Sequence, residues 1–136
     1  MQLEGGCLCG DIRYKVSGEL AKEEKPAFCH CRICQRAAGA LVVGWATFKE
    51  KDIIVTRGDC RIYHSSETGL RKFCGRCGTQ VFFQNRGSPN LEITIASLDS
   101  PDAIQPEVHG WTDSQLKCLK LKDDLPKFRE EQAPQS

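Results

Sequence analysis

The sequence predicts a single, mainly β domain. Three observations carry that prediction. Short segments of alternating or β-branched residues follow one another closely. They are separated by turns rich in Gly, Pro, Asn and Asp. No stretch of helical periodicity is long enough to organise a core, and 136 residues suffice for one domain.

The elements follow in order. Ile12, Tyr14 and Val16 alternate with Arg13 and Lys15, the pattern of a half-buried strand. Phe28 to Cys31 is short and extended, and Ile33 to Ala38 has the Gln, Arg and Ala content of one or two helical turns. Ala40 to Phe48 reads as a buried strand in which Gly44 allows a bend. Lys51 to Arg57 is β-branched, and Gly58-Asp59 suggests a hairpin with Cys60 to His64. Arg71 to Cys74 and Thr79 to Gln84 flank a tight turn. Leu91 to Ala96 alternates again, and Gln115 to Lys122 is amphipathic and extended. About eight short strands with close turns fit an antiparallel sandwich or barrel. The domain is expected over 1–128, with a polar, frayed tail over 129–136.

Composition excludes several classes. Nineteen basic residues against 18 acidic ones leave a net charge of +1, so bulk charge builds no nucleic-acid surface. The longest nearly apolar run, Ala37 to Ala46, is about half of a membrane span. The N-terminus has neither the basic start nor the apolar stretch of a secretory signal, so a cytoplasmic location is expected. Neither a nucleic-acid partner nor a membrane is expected, and oligomeric state is open.

Nine cysteines demand an explanation. A disulfide framework and metal binding compete, and three features favour metal. There is no export signal, the count is odd, and seven of the nine fall into tight clusters. These are Cys7-Leu-Cys9, Cys29-His-Cys31-Arg-Ile-Cys34 and Cys74-Gly-Arg-Cys77-Gly78. A Cys-x-x-Cys-Gly turn lets two sulfurs reach one zinc at about 2.3 Å. Gly75 and Gly78 are expected to supply positive φ there. A redox dithiol would open a helix in a βαβ unit, a pattern not present here. His30 and His109 are weighed as extra ligands, with packing the commoner fate of such residues. Cys60 and Cys118 read as buried small residues in strands. Trp45, Phe48 and Trp111 are candidates for core or for cleft walls.

The order Cys-x-Cys, Cys-x-Cys-x-x-Cys, Cys-x-x-Cys-Gly resembles the glutathione-dependent formaldehyde-activating enzyme family, which also includes centromere protein V. Gly5-Gly6-Cys7-Leu8-Cys9-Gly10 and Cys34-Gln35-Arg36 extend the likeness. So do Gly69-Leu-Arg71-Lys-Phe73-Cys74, Pro106-Glu-Val-His109 and Leu125-Pro126-Lys-Phe128. The likeness spans roughly residues 3 to 128. It implies a β-tent fold of two antiparallel sheets, with at most short helical turns, and two zinc ions per chain. It implies that Cys7, Cys9, Cys74 and Cys77 form a closed structural site, whose four thiolates leave no open position.

Cys29, Cys31 and Cys34 are then three ligands for a second zinc, with a fourth position for a substrate. The resemblance implies that this site is catalytic. It also implies that a thiol, glutathione, and an aldehyde, formaldehyde, meet there in a carbon–sulfur lyase reaction that forms or cleaves S-hydroxymethylglutathione. Seven thiolates and two Zn²⁺ take the formal charge from +1 to −2. Arg32, Arg36, Arg71, Lys72 and Arg76 are close in sequence and available to offset it or to meet substrate carboxylates. The alternative is a zinc-stapled binding or scaffold domain without catalytic activity.

Overall fold

The structure, a computed structural model, describes residues 1–132. Ten strands and one short helix form it. They are β1 (Gln2–Gly6), β2 (Arg13–Ser17), β3 (Ala27–Cys29), α1 (Arg32–Ala38), β4 (Val43–Lys49), β5 (Ile53–Arg57), β6 (Arg61–His64), β7 (Gly69–Phe73), β8 (Gln80–Asn85), β9 (Asn90–Thr94) and β10 (Val108–Gly110). The strands make two sheets, in the orders β1-β2-β5 and β10-β3-β4-β9-β8-β7-β6. The fold is mainly β with two sheets, as the sequence predicts. One pair departs from the antiparallel rule, because β10 runs parallel to β3.

Alternation explains the core. Ile12, Tyr14 and Val16 are fully buried, and they face Ala46, Phe48, Val81, Phe82, Leu91 and Ile93 of the large sheet. Tyr14 packs edge-on against Phe82 with ring centroids 5.1 Å apart, and its hydroxyl is 2.7 Å from Ser97 Oγ. That hydrogen bond satisfies the phenol which burial would otherwise strand. The other face of β4 carries Val43 and Trp45, which join Cys34 in a second, smaller apolar cluster. β4 thus separates a structural core from the face that holds the site.

Several expected features are corrected. The hairpin of Lys51–Arg57 with Cys60–His64 does not form, since β5 pairs with β2 and β6 pairs with β7. Gly58 explains this. At φ +75° it carries the chain from one sheet to the other, pressed so close that a Cβ would stand 2.2 Å from the Asp11 carbonyl oxygen. The extended segment expected over 115–122 is a turn instead, closed by Leu119 N donating to Leu116 O. Cys60 is half-buried between strands and Cys118 is exposed in that turn, so neither is a buried strand residue. The expected tail over 129–136 falls partly outside the described residues. Within them, Gln132 exchanges two hydrogen bonds with the Lys25 backbone, at 3.0 and 3.1 Å.

Candidate metal centres and the adjoining cavity

All nine cysteines are free, and seven gather into two groups whose sulfurs lie within 4.8 Å of one another. The first joins Cys7 and Cys9, from the loop after β1, to Cys74 and Cys77, from the turn between β7 and β8. It therefore ties the small sheet to the large one. Backbone N–H groups already point at the sulfurs. Ile12 N donates to Cys7 Sγ at 3.2 Å, and Arg76 N and Cys77 N donate to Cys74 Sγ at 3.4 Å. The Thr79 hydroxyl, 3.3 Å from Cys77 Sγ, is the first cause that holds the Cys77 thiol down at about 5. Gly78 has the expected positive φ of 81°. Gly75 does not; a Cβ there would meet only the flexible side chain of Arg61, 2.8 Å from Nε.

The second group is local. Cys29 ends β3, Cys31 is the N-cap of α1, and Cys34 lies in its first turn. Cys31 Sγ accepts from Cys34 N at 3.3 Å, so the capping bond also fixes a candidate ligand. Cys29 Sγ and Cys34 Sγ are 3.4 Å apart. Without a cation these thiols cannot all ionise. Hydrogen bonds from Cys29 and then Cys34 hold Cys31 down at about 2, while the bond to Cys31 pushes Cys29 far up. Among the described residues no fourth His, Cys, Asp or Glu joins the three.

The donor sets fit zinc. A tetrahedral ion with Zn–S of 2.3 Å sets its sulfurs about 3.8 Å apart. Cys7–Cys9 at 3.6 Å, Cys9–Cys74 at 3.8 Å and Cys29–Cys34 at 3.4 Å lie near that spacing, and far from a disulfide bond. Two clusters able to hold metal are therefore present.

Of the cations singled out in the sequence, Arg71 serves the three-cysteine group. It is buried, with Nη1 and Nη2 at 3.7 and 3.6 Å from Cys34 Sγ. Its guanidinium lies 4.9 Å above the Phe83 ring centroid, and Nε donates to Ser65 Oγ. Arg76 pairs with Asp11, Lys72 donates to Gln84, and Arg32 donates to Gln35.

Neither histidine joins the cysteines. His30 Nε2 is 2.9 Å from His109 Nδ1, and His109 Nε2 is 3.0 Å from Asp123 Oδ2. Both nitrogens of His109 are thus engaged elsewhere. Burial, followed by the His109 charge, pushes His30 below its ordinary value.

A cavity of about 450 Å³ opens beside Cys29, Cys31 and Cys34. Trp45 and Trp111 wall it, whereas Phe48 belongs to the core. Trp111 holds φ at 57°, the one non-glycine residue with positive φ among those described. Glu92 also lines the cavity, and sequence reasoning missed it. In Leu-Glu-Ile-Thr-Ile it reads as the solvent side of an alternating strand. Burial, the dominant influence, pushes its carboxyl up to about 8.

Comparison with known proteins agrees with this geometry. The family model described as glutathione-dependent formaldehyde-activating enzyme matches residues 2–114. A Halomonas elongata protein named "Putative glutathione-dependent formaldehyde-activating enzyme" is 30% identical over 132 residues, covering 90% of this chain and 82% of its own. An uncharacterized lyase of Schizosaccharomyces pombe is 28% identical over 89 residues, 65% of this chain and 62% of its own. The crystal structure of a Rhodobacter sphaeroides protein shares the fold with a TM-score of 0.58 at 22% identity, covering 93% of this chain and 99% of that one.

Proposed function

Because the chain belongs to the glutathione-dependent formaldehyde-activating enzyme family, we propose that it is a zinc-dependent carbon–sulfur lyase that forms or cleaves S-hydroxymethylglutathione. The observation that supports this is the three-cysteine group on a cavity wall, with no fourth protein donor beside it among the described residues. Cys7, Cys9, Cys74 and Cys77 hold a structural zinc that staples the two sheets. Cys29, Cys31 and Cys34 would hold the second, with a position left for the thiol of glutathione. When bound there, zinc supplies positive charge that lowers the pKa of a thiol sharing it.

The chain's own residues do the rest. The Cys31 cap and the end of β3 fix the three sulfurs on one side of the cavity. Arg71 sets a fixed positive charge against Cys34, which offsets the negative charge that three thiolates leave on the site. Trp45, Phe83 and Trp111 supply apolar surface that excludes water around the thiol and the aldehyde carbon. Forming the carbon–sulfur bond turns the aldehyde oxygen into a hydroxyl, and the thiol proton balances that oxygen. Much of the gain is positional, since two small reactants are held together.

The test is exchange spectroscopy of formaldehyde and glutathione at equilibrium, with elemental analysis of the same sample. Two zinc ions per chain and accelerated exchange are expected. Protein with both zinc ions that leaves the exchange rate unchanged would sink the lyase reading and favour a zinc-stapled binding domain.

A further inference from the structure

The three-cysteine group is braced from behind. Cys29 and Cys31 line the cavity, whereas His30 between them is fully buried and does not. Alternation along an extended segment puts it on the other side of the chain. Three points hold it there. His30 N donates to Gly110 O at 3.0 Å. His30 O accepts from Gln35 Nε2 at 2.9 Å, and the same amide reaches Ser114 O at 3.2 Å. His30 Nε2 lies 2.9 Å from His109 Nδ1, while His30 Nδ1 has no partner. His109 is therefore the one polar anchor of that ring among the described residues.

His109 braces Cys29 as well. Its ring stacks on Phe28, with centroids 5.0 Å apart, and on His30, at 5.1 Å. These are the two residues that flank Cys29. β10, which carries His109, is three residues long and lies at the edge of the large sheet, parallel to β3. So short a parallel pairing holds a strand weakly. A later segment secures its outer side. His109 N donates to Pro126 O and Phe128 N donates to His109 O, each at 2.8 Å. Asp123 accepts from His109 Nε2 at 3.0 Å and, through its other oxygen, from Leu125 N at 3.0 Å. Two buried imidazoles are a costly way to fill space that apolar side chains could fill. Here they form a hydrogen-bonded chain from Asp123 to the residue between two cysteines.

We infer that Asp123 and His109 are positioning residues for the three-cysteine metal site, holding Cys29 and Cys31 at ligand spacing through His30. The inference rests on the proposed metal role of that group. The four-cysteine group stands outside this chain of contacts, since its ligands come from the loop after β1 and the turn between β7 and β8. Loss of the brace should weaken one site and spare the other. Disturbing the groups that orient metal ligands typically costs about 10–100-fold in affinity. This brace acts through a neighbouring residue, so the low end, about tenfold, is expected.

The test is zinc release from the full, zinc-loaded chain to the chromogenic chelator 4-(2-pyridylazo)resorcinol. Cys31→Ser keeps the cap of α1 and removes a ligand, so it identifies which release phase belongs to which site. Asp123→Ala and His109→Gln should release the three-cysteine zinc about tenfold faster and leave the other phase within about twofold of the parent. Asp123→Asn, which keeps an acceptor oxygen, should fall between Asp123→Ala and the parent. Tyr14→Phe removes a buried hydrogen bond in the core, to Ser97, and should leave both phases unchanged. If His109→Gln does not fold, Asp123→Ala decides, because that side chain is partly exposed. Release from the three-cysteine site at the parent rate overturns the positioning role and leaves the metal reading standing. Faster release from both sites in step, or an equal effect of Tyr14→Phe, overturns it as general loosening. No gain of Asn over Ala overturns the part given to the Asp123–His109 bond. A parent protein that holds zinc at the four-cysteine site alone overturns the metal reading and the inference together.

Discussion

Glu92→Gln should change the pH dependence of stability, and the direction can be worked from its surroundings. The carboxyl is pushed from 4.5 up to about 8, first by burial and then by Glu24, with Arg71 opposing. Below pH 4.5 the group is protonated in both folded and unfolded chains and makes no difference. Between 4.5 and 8 the unfolded chain releases the proton while the folded chain holds it, so stability falls as pH rises. Above about 8 the full cost is present. A shift of that size corresponds to roughly 5 kcal/mol as a ceiling, at about 1.4 kcal/mol per pKa unit. Glu92 borders a cavity open to water, so screening reduces this to roughly 2–3 kcal/mol. The glutamine keeps the shape and never ionises. The variant should therefore match the parent protein near pH 4.5 and exceed it in melting temperature by on the order of 10 °C at pH 8.5, for a domain of this size. Differential scanning fluorimetry across pH 4.5 to 8.5 reads the gap, and metal loss at low pH acts on both proteins alike. A gap that stays flat across that range would refute the raised carboxyl. A variant less stable than the parent at high pH would mean that Glu92 is paired.

Three further outcomes are expected. Cys74→Ser should lose one zinc per chain by elemental analysis and several kcal/mol of stability, because metal binding there is coupled to folding of both sheets. Cys60→Ser, outside the cluster, should keep both metals. Arg71→Met removes the cation against Cys34 and the contact with Phe83. Its three-cysteine site should lose zinc to a chelator on the order of tenfold more readily, and Arg71→Lys should recover only part, since an ammonium cannot reproduce the flat two-nitrogen contact. Asp123→Asn weakens the carboxylate's hold on His109, 3.0 Å away, at a cost of about 1–3 kcal/mol. Hydrogen exchange should quicken at the Phe128 amide, which donates to His109 O at 2.8 Å, while the amides of β7 and β8 keep their protection.

What the sequence disclosed was local, and what it hid was pairing across the chain. The ligand character of the cysteines is legible because a Cys-x-x-Cys turn closes within a few residues. That Cys7 and Cys9 meet Cys74 and Cys77 came from resemblance, since no local rule joins residues so far apart. β5 and β6 look like a hairpin because the first is β-branched and a Gly-Asp turn follows it. Only the close approach of Gly58 to Asp11 decides that they belong to different sheets. β10 is three residues long and parallel to β3, too short to leave an alternation. Glu92 was hidden for another reason. Alternation tells which side of a strand is polar, but not whether that side faces bulk water or a cavity roofed by later residues such as Trp111 and Gln132.

The two cysteine groups use similar residues for different ends, and the difference lies in where each is placed. The four-cysteine group ends two hairpins from different sheets, so every sulfur comes from a turn and the ligand shell closes on itself. It brings the turn between β7 and β8 against the turn between β1 and β2. That matters at the other site, because β7 carries Arg71 and β8 carries Phe83. The three-cysteine group instead sits where β3 meets a short helix, against a sheet face already bearing fixed charges. With three, the positive charge at Arg71 lies beside Cys34 on the cavity wall. The four-cysteine group is therefore coupled to the three-cysteine group through β7 and β8, and its loss should misplace Arg71.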